Sequence, residues 1–310
     1  MRLVALVAMP AAMPLAVTMA QESAPAKEAP IVIEPLFEYP VAPDSLSGLT
    51  ERSDYLMEHF WDHMDFKDKD AVDQNALNDA FSVYSAPMQF ASVTAVDASV
   101  DKLLAAIQKN PVLTLQFAKA AEEALYGPRA YFWNDEIFLK FLDNVVRSKQ
   151  VKKERKLRYA RLQAQLRNTL RGAVPPEFDY ETPDGKTAHY YPNGVITVIE
   201  FGDPDCDDCR HAKLKMDTDV RFSALVDKGK VNVLFIYVDP EDGWQEKLKD
   251  YPAAWHVGAS DVVSDLYDLR ETPAIYVIDR EGHVAAKNVE VRTAMEIAAA
   301  AAEQTPVTNQ

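Results

Sequence analysis

The chain of 310 residues contains two cysteines, three positions apart in Cys206-Asp207-Asp208-Cys209, shortly after an apolar run that reads as a buried strand over 194–201. The segment that follows reads as a helix, so the pair falls on a strand-to-helix turn. One helical turn brings both sulfurs to the same side, near enough to bridge, and the start of a helix stabilises a thiolate. A bridge between them would close so small a loop that it would restrict the unfolded chain little, which makes a structural staple a weak explanation. Zinc sites use the same spacing but normally take two further Cys or His ligands at matched spacing, and no second pair follows. The pattern therefore points to a reactive dithiol.

The N-terminus suggests a compartment in which such a pair would work. Arg2 precedes an apolar stretch over 3–17, which ends in Thr18-Met19-Ala20 before the polar Gln21-Glu22. That is the pattern of a signal peptide, 1–20, cut after Ala20. It is too short and too interrupted by proline to anchor the chain in a membrane. The expectation is a periplasmic protein, or a secreted one, with no membrane span once the segment is removed. Residues 21–45, rich in Pro, Ala and Glu, read as an extended tether.

With 33 Lys and Arg against 48 Asp and Glu, the net charge is −15. Such an excess of acid argues against nucleic acid as a partner and against general attraction to anionic membranes. The length allows about two domains. Over 46–172 the apolar residues recur at helical spacing, as in Leu103, Leu104 and Ile107, then Leu113, Phe117, Ala120, Ala121 and Leu125. Asn110-Pro111 and Gly127-Pro128 punctuate the segments. Five or six helices packed as a bundle are expected, with Trp61, Tyr131, Phe132 and Trp133 in their core. The last helix, about 151–171, is strongly basic, either as a solvated connector offsetting the acidic remainder or as a docking surface for an acidic partner.

Gly172-Ala173-Val174-Pro175-Pro176 marks a boundary. Beyond it Asp184-Gly185 predicts a hairpin turn. There follow a strand over 195–201, a helix from 206 through the 220s, a strand over 231–238, helices over 243–249 and 261–269, strands over 274–278 and 283–289, and a helix over 293–303. Two parallel strands joined by a helix, then a β-hairpin and a helix, make a thioredoxin core. The expected architecture is thus α+β in two domains: an all-α bundle at 46–172, an α/β thioredoxin-like fold at 174–303, and a tail at 304–310.

Four features in the right order resemble the thioredoxin superfamily and, more narrowly, exported thiol-disulfide oxidoreductases of the TlpA and ResA type. They are Pro176-Glu177-Phe178 followed by Asp184-Gly185; the strand ending in Phe201 before Cys206; Glu271-Thr272-Pro273-Ala274; and Ile278-Asp279-Arg280-Glu281-Gly282-His283-Val284. The resemblance covers about 174–303. The pairing with a helical half is similar to exported proteins of Gram-negative bacteria whose N-terminal domain has no settled function.

What the resemblance implies can be placed residue by residue. Cys206, nearest the helix start, is the exposed nucleophile, and Cys209 the more buried thiol that resolves the mixed disulfide. Glu200 occupies the place of a buried acid that handles protons for the resolving cysteine; strand alternation alone equally allows an outward-facing acid on an edge. Pro273 matches the cis-proline opposite the active site, which would turn the Thr272 backbone toward an extended substrate; a plain trans turn is the other reading. The redox-active disulfide Cys206–Cys209 serves in place of a cofactor, and no metal is expected. Partners would be proteins carrying thiols or disulfides and an unidentified reductant.

The chain also departs from the pattern. Asp205 replaces the usual aromatic before the first cysteine, and Asp207 and Asp208 replace the usual Pro or Gly between the two. With Asp203, four carboxylates surround the nucleophile and disfavour its thiolate; His211 and Lys213 could offset this in part, though His211 reads more simply as a solvated helix residue. That implies a reducing poise. Two other functions fit the same residues: a non-catalytic scaffold with a vestigial Cys pair, or copper or zinc handling through Cys206, Cys209 and His211. His59 and His63 share a helix face, but Phe60 stands where a zinc-protease helix needs its Glu, so a packing or surface pair is expected there.

Overall fold

In the computed structural model, residues 35–67 and 72–304 are described. The expected signal segment, most of the tether and residues 305–310 of the tail lie outside them. Six helices come first: α1 (Leu49–His59), α2 (Gln74–Ser85), α3 (Val93–Ile107), α4 (Pro111–Leu125), α5 (Asp135–Arg147) and α6 (Lys153–Thr169). Asp73, Ser92, Asn110 and Asn134 start α2 to α5, each side chain accepting from backbone N–H groups in the first turn. Pro111 sits at the first position of α4, where its missing donor does no harm. The buried faces merge into one core around Phe81, Tyr84, Phe117, Phe138 and Phe141. Trp61 lies in that core with its ring centroid 5.2 Å from Phe117 and 5.1 Å from Tyr84.

Two expectations for this half need correction. The described end of the tether is packed, because Phe37 places its ring 5.7 Å from Phe60 and 5.6 Å from Trp61. Tyr131 and Trp133 are not in the core: they are 89% and 36% exposed. Helix α4 ends at Leu125, and Gly127-Pro128 opens a loop that runs across the surface, so their aromatic character reports something other than helix packing.

The rest of the chain builds a seven-stranded sheet in the order β2-β1-β5-β4-β3-β6-β7. The strands are β1 (Phe178–Glu181), β2 (Thr187–Tyr190), β3 (Ile196–Gly202), β4 (Val231–Tyr237), β5 (His256–Ala259), β6 (Ala274–Ile278) and β7 (Val284–Lys287). β3 runs parallel to β4 and antiparallel to β6, and β4 runs parallel to β5. The β1–β2 hairpin turns at Gly185, whose φ of +77° suits a residue without Cβ. Helices α7 (Asp207–Thr218), α8 (Val220–Asp227), α9 (Trp244–Lys247), α10 (Val263–Leu266) and α11 (Val291–Glu303) complete the chain. The helix expected from 206 through the 220s is divided at Asp219, whose carboxylate accepts from Phe222 N–H to start α8. α9 and α10 are single turns, shorter than expected, and β5 was not expected at all.

Alternation on the central strands sorts the sheet's two faces. Ile196 and Val198 of β3, with Val231, Val233, Ile275 and Val277, pack against Ala212 and Met216 of α7 and Ala294 and Ala298 of α11. Ile199 and Phe201, with Leu234, Ile236 and Tyr276, face Phe178, Tyr190 and Tyr267 on the other side. β3 is thus buried on both faces, as its mostly apolar sequence suits, with Glu200 the one ionisable residue enclosed in it.

The helical segment and the sheet meet along several lines, and Pro35 onward groups as one compact unit. After α6, Gly172 N–H donates to Val284 O and Val284 N–H donates to Ala173 O, both at 2.8 Å, along the outer side of β7. The basic residues of α6 stay largely exposed while pairing at the surface: Arg158 with Glu122, Arg167 with Asp143 and Arg161 with Asp265; half-buried Lys156 donates to the carbonyls of Val146 and Ser148. Among the described residues, no helix is long and apolar enough to cross a membrane.

Candidate active site

β3 ends at Gly202, and four residues later Cys206 caps α7. Its Sγ accepts the Cys209 N–H at 3.3 Å, so the first sulfur stands at the positive end of a 12-residue helix. Cys206 is half-buried and Cys209 fully buried, both as free thiols. Cys209 lies directly over Gly202: a Cβ on that glycine would stand 2.8 Å from its Sγ. Burial, then the hydrogen bond with Cys206, pushes the Cys209 thiol well up.

Glu200 is two residues before Gly202 and therefore on the same face of β3, toward α7. It pairs with Phe235 on β4 and Ile275 on β6, in the middle of the sheet and not at an edge. Its side chain is fully buried, neither carboxyl oxygen has a hydrogen-bond partner in the protein, and burial pushes it up to about 8, against a smaller opposing pull from Lys213. Lys213 itself stands 4.3 Å above the ring of Tyr251, a residue whose phenol is raised by burial and then by Glu200 and Cys209 nearby. Tyr251 and Lys213 thus belong to the acid's surroundings. Tyr251 comes from a loop 51 positions along the chain, and nothing in its local pattern marks it.

The acidic turn is less lopsided than its sequence suggests. Asp205 carboxylate pairs with Lys247 at 2.7 Å, and Asp207 pairs with Arg210, which also donates to Asp205 O at 2.8 Å. The cations paired with the turn are therefore Lys247 and Arg210, while the expected Lys213 lies instead beside Glu200 and Tyr251. Arg210 is legible as an i,i+3 partner of Asp207. Lys247 is 42 residues from Asp205 and reaches it only through the fold. Among the described residues, no group of three or more His, Cys, Asp or Glu is arranged to hold a metal ion.

The Thr272–Pro273 peptide bond is cis. Because Phe201 pairs with Ala274 across β3 and β6, Pro273 sits level with Gly202, at the end of the sheet from which the Cys206 turn departs. Thr272 and Pro273 border a cleft of about 520 Å³ together with Asp208, Glu271, Glu290 and Trp133. Trp133 belongs to the loop between α4 and α5, so the helical segment contributes a wall to this cleft.

Just behind the cleft lies a buried ionic cluster. Arg270, 6% exposed, donates to Asp268 of its own loop and to Asp135 of α5 at 2.6 Å. Lys287 of β7 donates to the same two carboxylates, at 2.9 Å and 2.7 Å. Tyr126 O–H donates to Asp268 at 2.9 Å, and the Arg270 guanidinium lies 3.8 Å from the Tyr126 ring centroid and 5.0 Å from that of Trp133. Burial alone would raise Asp268, but the hydrogen bond from Arg270 and the charge of Lys287 hold it below the usual carboxylate range.

This sheet and its covering helices form a thioredoxin-like fold. A thioredoxin-like protein from Bacteroides caccae is similar over 86% of this chain and 99% of its own, with a TM-score of 0.70 at 21% identity. Residues 174–303 alone cannot supply 86%, so the N-terminal helices are part of the shared architecture. Shorter matches include a conserved protein of unknown function from Bacteroides fragilis, with 28% identity, 41% of this chain, 97% of its own and a TM-score of 0.39. Another is the thioredoxin domain of a thiol-disulfide oxidoreductase from Bacteroides vulgatus, with 20% identity, 41% of this chain, 94% of its own and a TM-score of 0.35. A family model described as a domain of unknown function, DUF5106, matches residues 16–169, just under half of the chain. No curated protein matches it.

Proposed function

We propose that the chain is an exported thiol-disulfide oxidoreductase that reduces disulfides in other proteins through Cys206 and Cys209. The observation that carries this reading is the arrangement at the end of β3: one sulfur accessible at a helix N-terminus, a second buried against Gly202, and a buried, unpartnered carboxyl on the same strand face. The Cys206 thiolate attacks one sulfur of a client disulfide, forming a Cys206–client bond and releasing the other client sulfur as a thiolate. Glu200, in its ionised form, then takes the Cys209 proton; Cys209 attacks Cys206 Sγ, closing the Cys206–Cys209 bond, and the second client sulfur leaves as a thiolate that takes up a proton. The client gains two electrons and two protons, and the protein disulfide is returned to the dithiol by a dithiol donor.

Reduction is the favoured direction because Asp203 and Asp208 add negative charge beside the sulfurs, while the charges of Asp205 and Asp207 are matched by Lys247 and Arg210. The site needs no organic cofactor. Export places it outside the cytoplasm, where disulfides persist in client proteins. Cys206→Ser should abolish reduction of insulin, and Cys209→Ala should accumulate client adducts through Cys206, visible as reductant-sensitive bands in gels. Activity retained in Cys206→Ser would overturn the assignment in favour of a binding protein.

A further inference from the structure

The cleft beside Pro273 is not built by the sheet alone. Trp133 arrives from the helical segment, and its orientation is fixed at two points: the indole N–H donates to Gly127 O at 3.2 Å, and the Arg270 guanidinium lies 5.0 Å from the ring centroid. Asn134, the next residue, caps α5, and Asp135 after it is bound by Arg270 and Lys287. A large aromatic ring held in this way, yet 36% exposed, has little freedom left to lose when a ligand packs on it. The charges around it are unbalanced: Asp208, Glu271 and Glu290 line the cleft against Lys215 and the imidazole of His211.

We propose that Trp133 is a substrate-contact residue, and that the cleft it closes selects extended client segments with a lysine or arginine beside the reactive cysteine. This deepens the redox reading above and rests on it. A client strand laid along Thr272 and Pro273 with its cysteine at Cys206 carries neighbouring side chains past this wall. An aliphatic stem with a cationic head packs on an aromatic face and ends near the carboxylates. The excess of acid on the whole chain, −15, draws basic segments toward it before contact. The helical segment thus sets client choice, and the buried cluster of Asp135, Arg270, Asp268 and Lys287 fixes its distance from the cysteines.

Two peptide disulfides, identical except for Lys or Glu flanking the cysteine, test this with the full-length chain and a dithiol reductant at low salt. The unsubstituted chain should favour the Lys peptide in kcat/KM by about tenfold. Trp133→Ala should lower that ratio about fivefold, and Trp133→Phe should keep most of it. Glu271→Gln combined with Glu290→Gln should also shrink the preference, and raised salt should weaken it. Equal kcat/KM for the two peptides, or a ratio unmoved by Trp133→Ala, would overturn the selection of basic clients and leave the redox reading intact. Failure to reduce either peptide would instead overturn the redox reading, and this one with it.

Discussion

Glu200 lies in the middle of the sheet with both carboxyl oxygens unpartnered, so the folded chain holds it protonated up to about pH 8, whereas the unfolded chain releases its proton near the ordinary value of 4.5. Between those limits the unfolded state binds fewer protons, and stability must fall as pH rises from about 4.5 to 8, by a few kcal/mol in all, before levelling off. Denaturant unfolding of the reduced chain at pH 5 and pH 8 should show this loss, and Glu200→Gln should flatten it; an equal pH slope in both would remove Glu200 as its source. Resolution of Cys206 adducts should quicken as pH passes about 8, and Glu200→Gln should blunt that rise. At this scale the sequence was informative wherever partners are close along the chain. The Cys206–Cys209 pair and the Asp207–Arg210 contact fall within one helical turn. Glu200 was ambiguous, because alternation gives a face but cannot say whether the strand is central. Lys247, Tyr251 and Trp133 carry no local signal, since each reaches the site from a distant segment.

Among the elements, strands β3, β4 and β6 were legible because burial on both faces favours a high density of Val, Ile and Phe, which Thr197, Glu200 and Asn232 interrupt without hiding. Strand β5 was not: His256-Val257-Gly258-Ala259 has no run and no alternation, and it becomes a strand only because β1 and β4 stand on either side of it. Gly258 shows why that slot is narrow. A Cβ there would overlap Glu181 O and approach Tyr180 Cδ2 to 2.5 Å, so β1 can close on β5 only over a glycine. Gly258→Ala should therefore cost about 1–3 kcal/mol in unfolding free energy. It should also free the β1–β2 hairpin to exchange its amide protons faster than the central strands, as hydrogen exchange would read. Unchanged protection in 178–190 would show that the hairpin does not depend on this contact. The break between α7 and α8 was equally hidden. Asp219 both ends one helix and begins the next, and the periodicity runs through it undisturbed.

For the whole molecule, the boundary at 172–176 was visible from Gly172, Pro175 and Pro176, but composition said nothing of what crosses it. Asp135 and Tyr126 on one side and Asp268, Arg270 and Lys287 on the other form a single buried cluster. Removing one side leaves buried charge without its partner, which costs about 3–5 kcal/mol. A chain beginning at Val174 should thus melt well below the full-length chain, and Asp135→Asn in the intact chain should reproduce part of the loss; a shortened chain of undiminished melting temperature would show the cluster to be dispensable. Such a chain would lose something else as well. β7 is the last strand of the sheet, and the backbone groups of Val284 on its outer side are occupied by Gly172 and Ala173. Those two residues act as a guard on an open edge, and without them the strand offers free donors and acceptors to the next molecule it meets. The shortened chain should grow by edge-to-edge pairing, with light scattering rising with concentration, while the intact chain stays monodisperse under the same conditions.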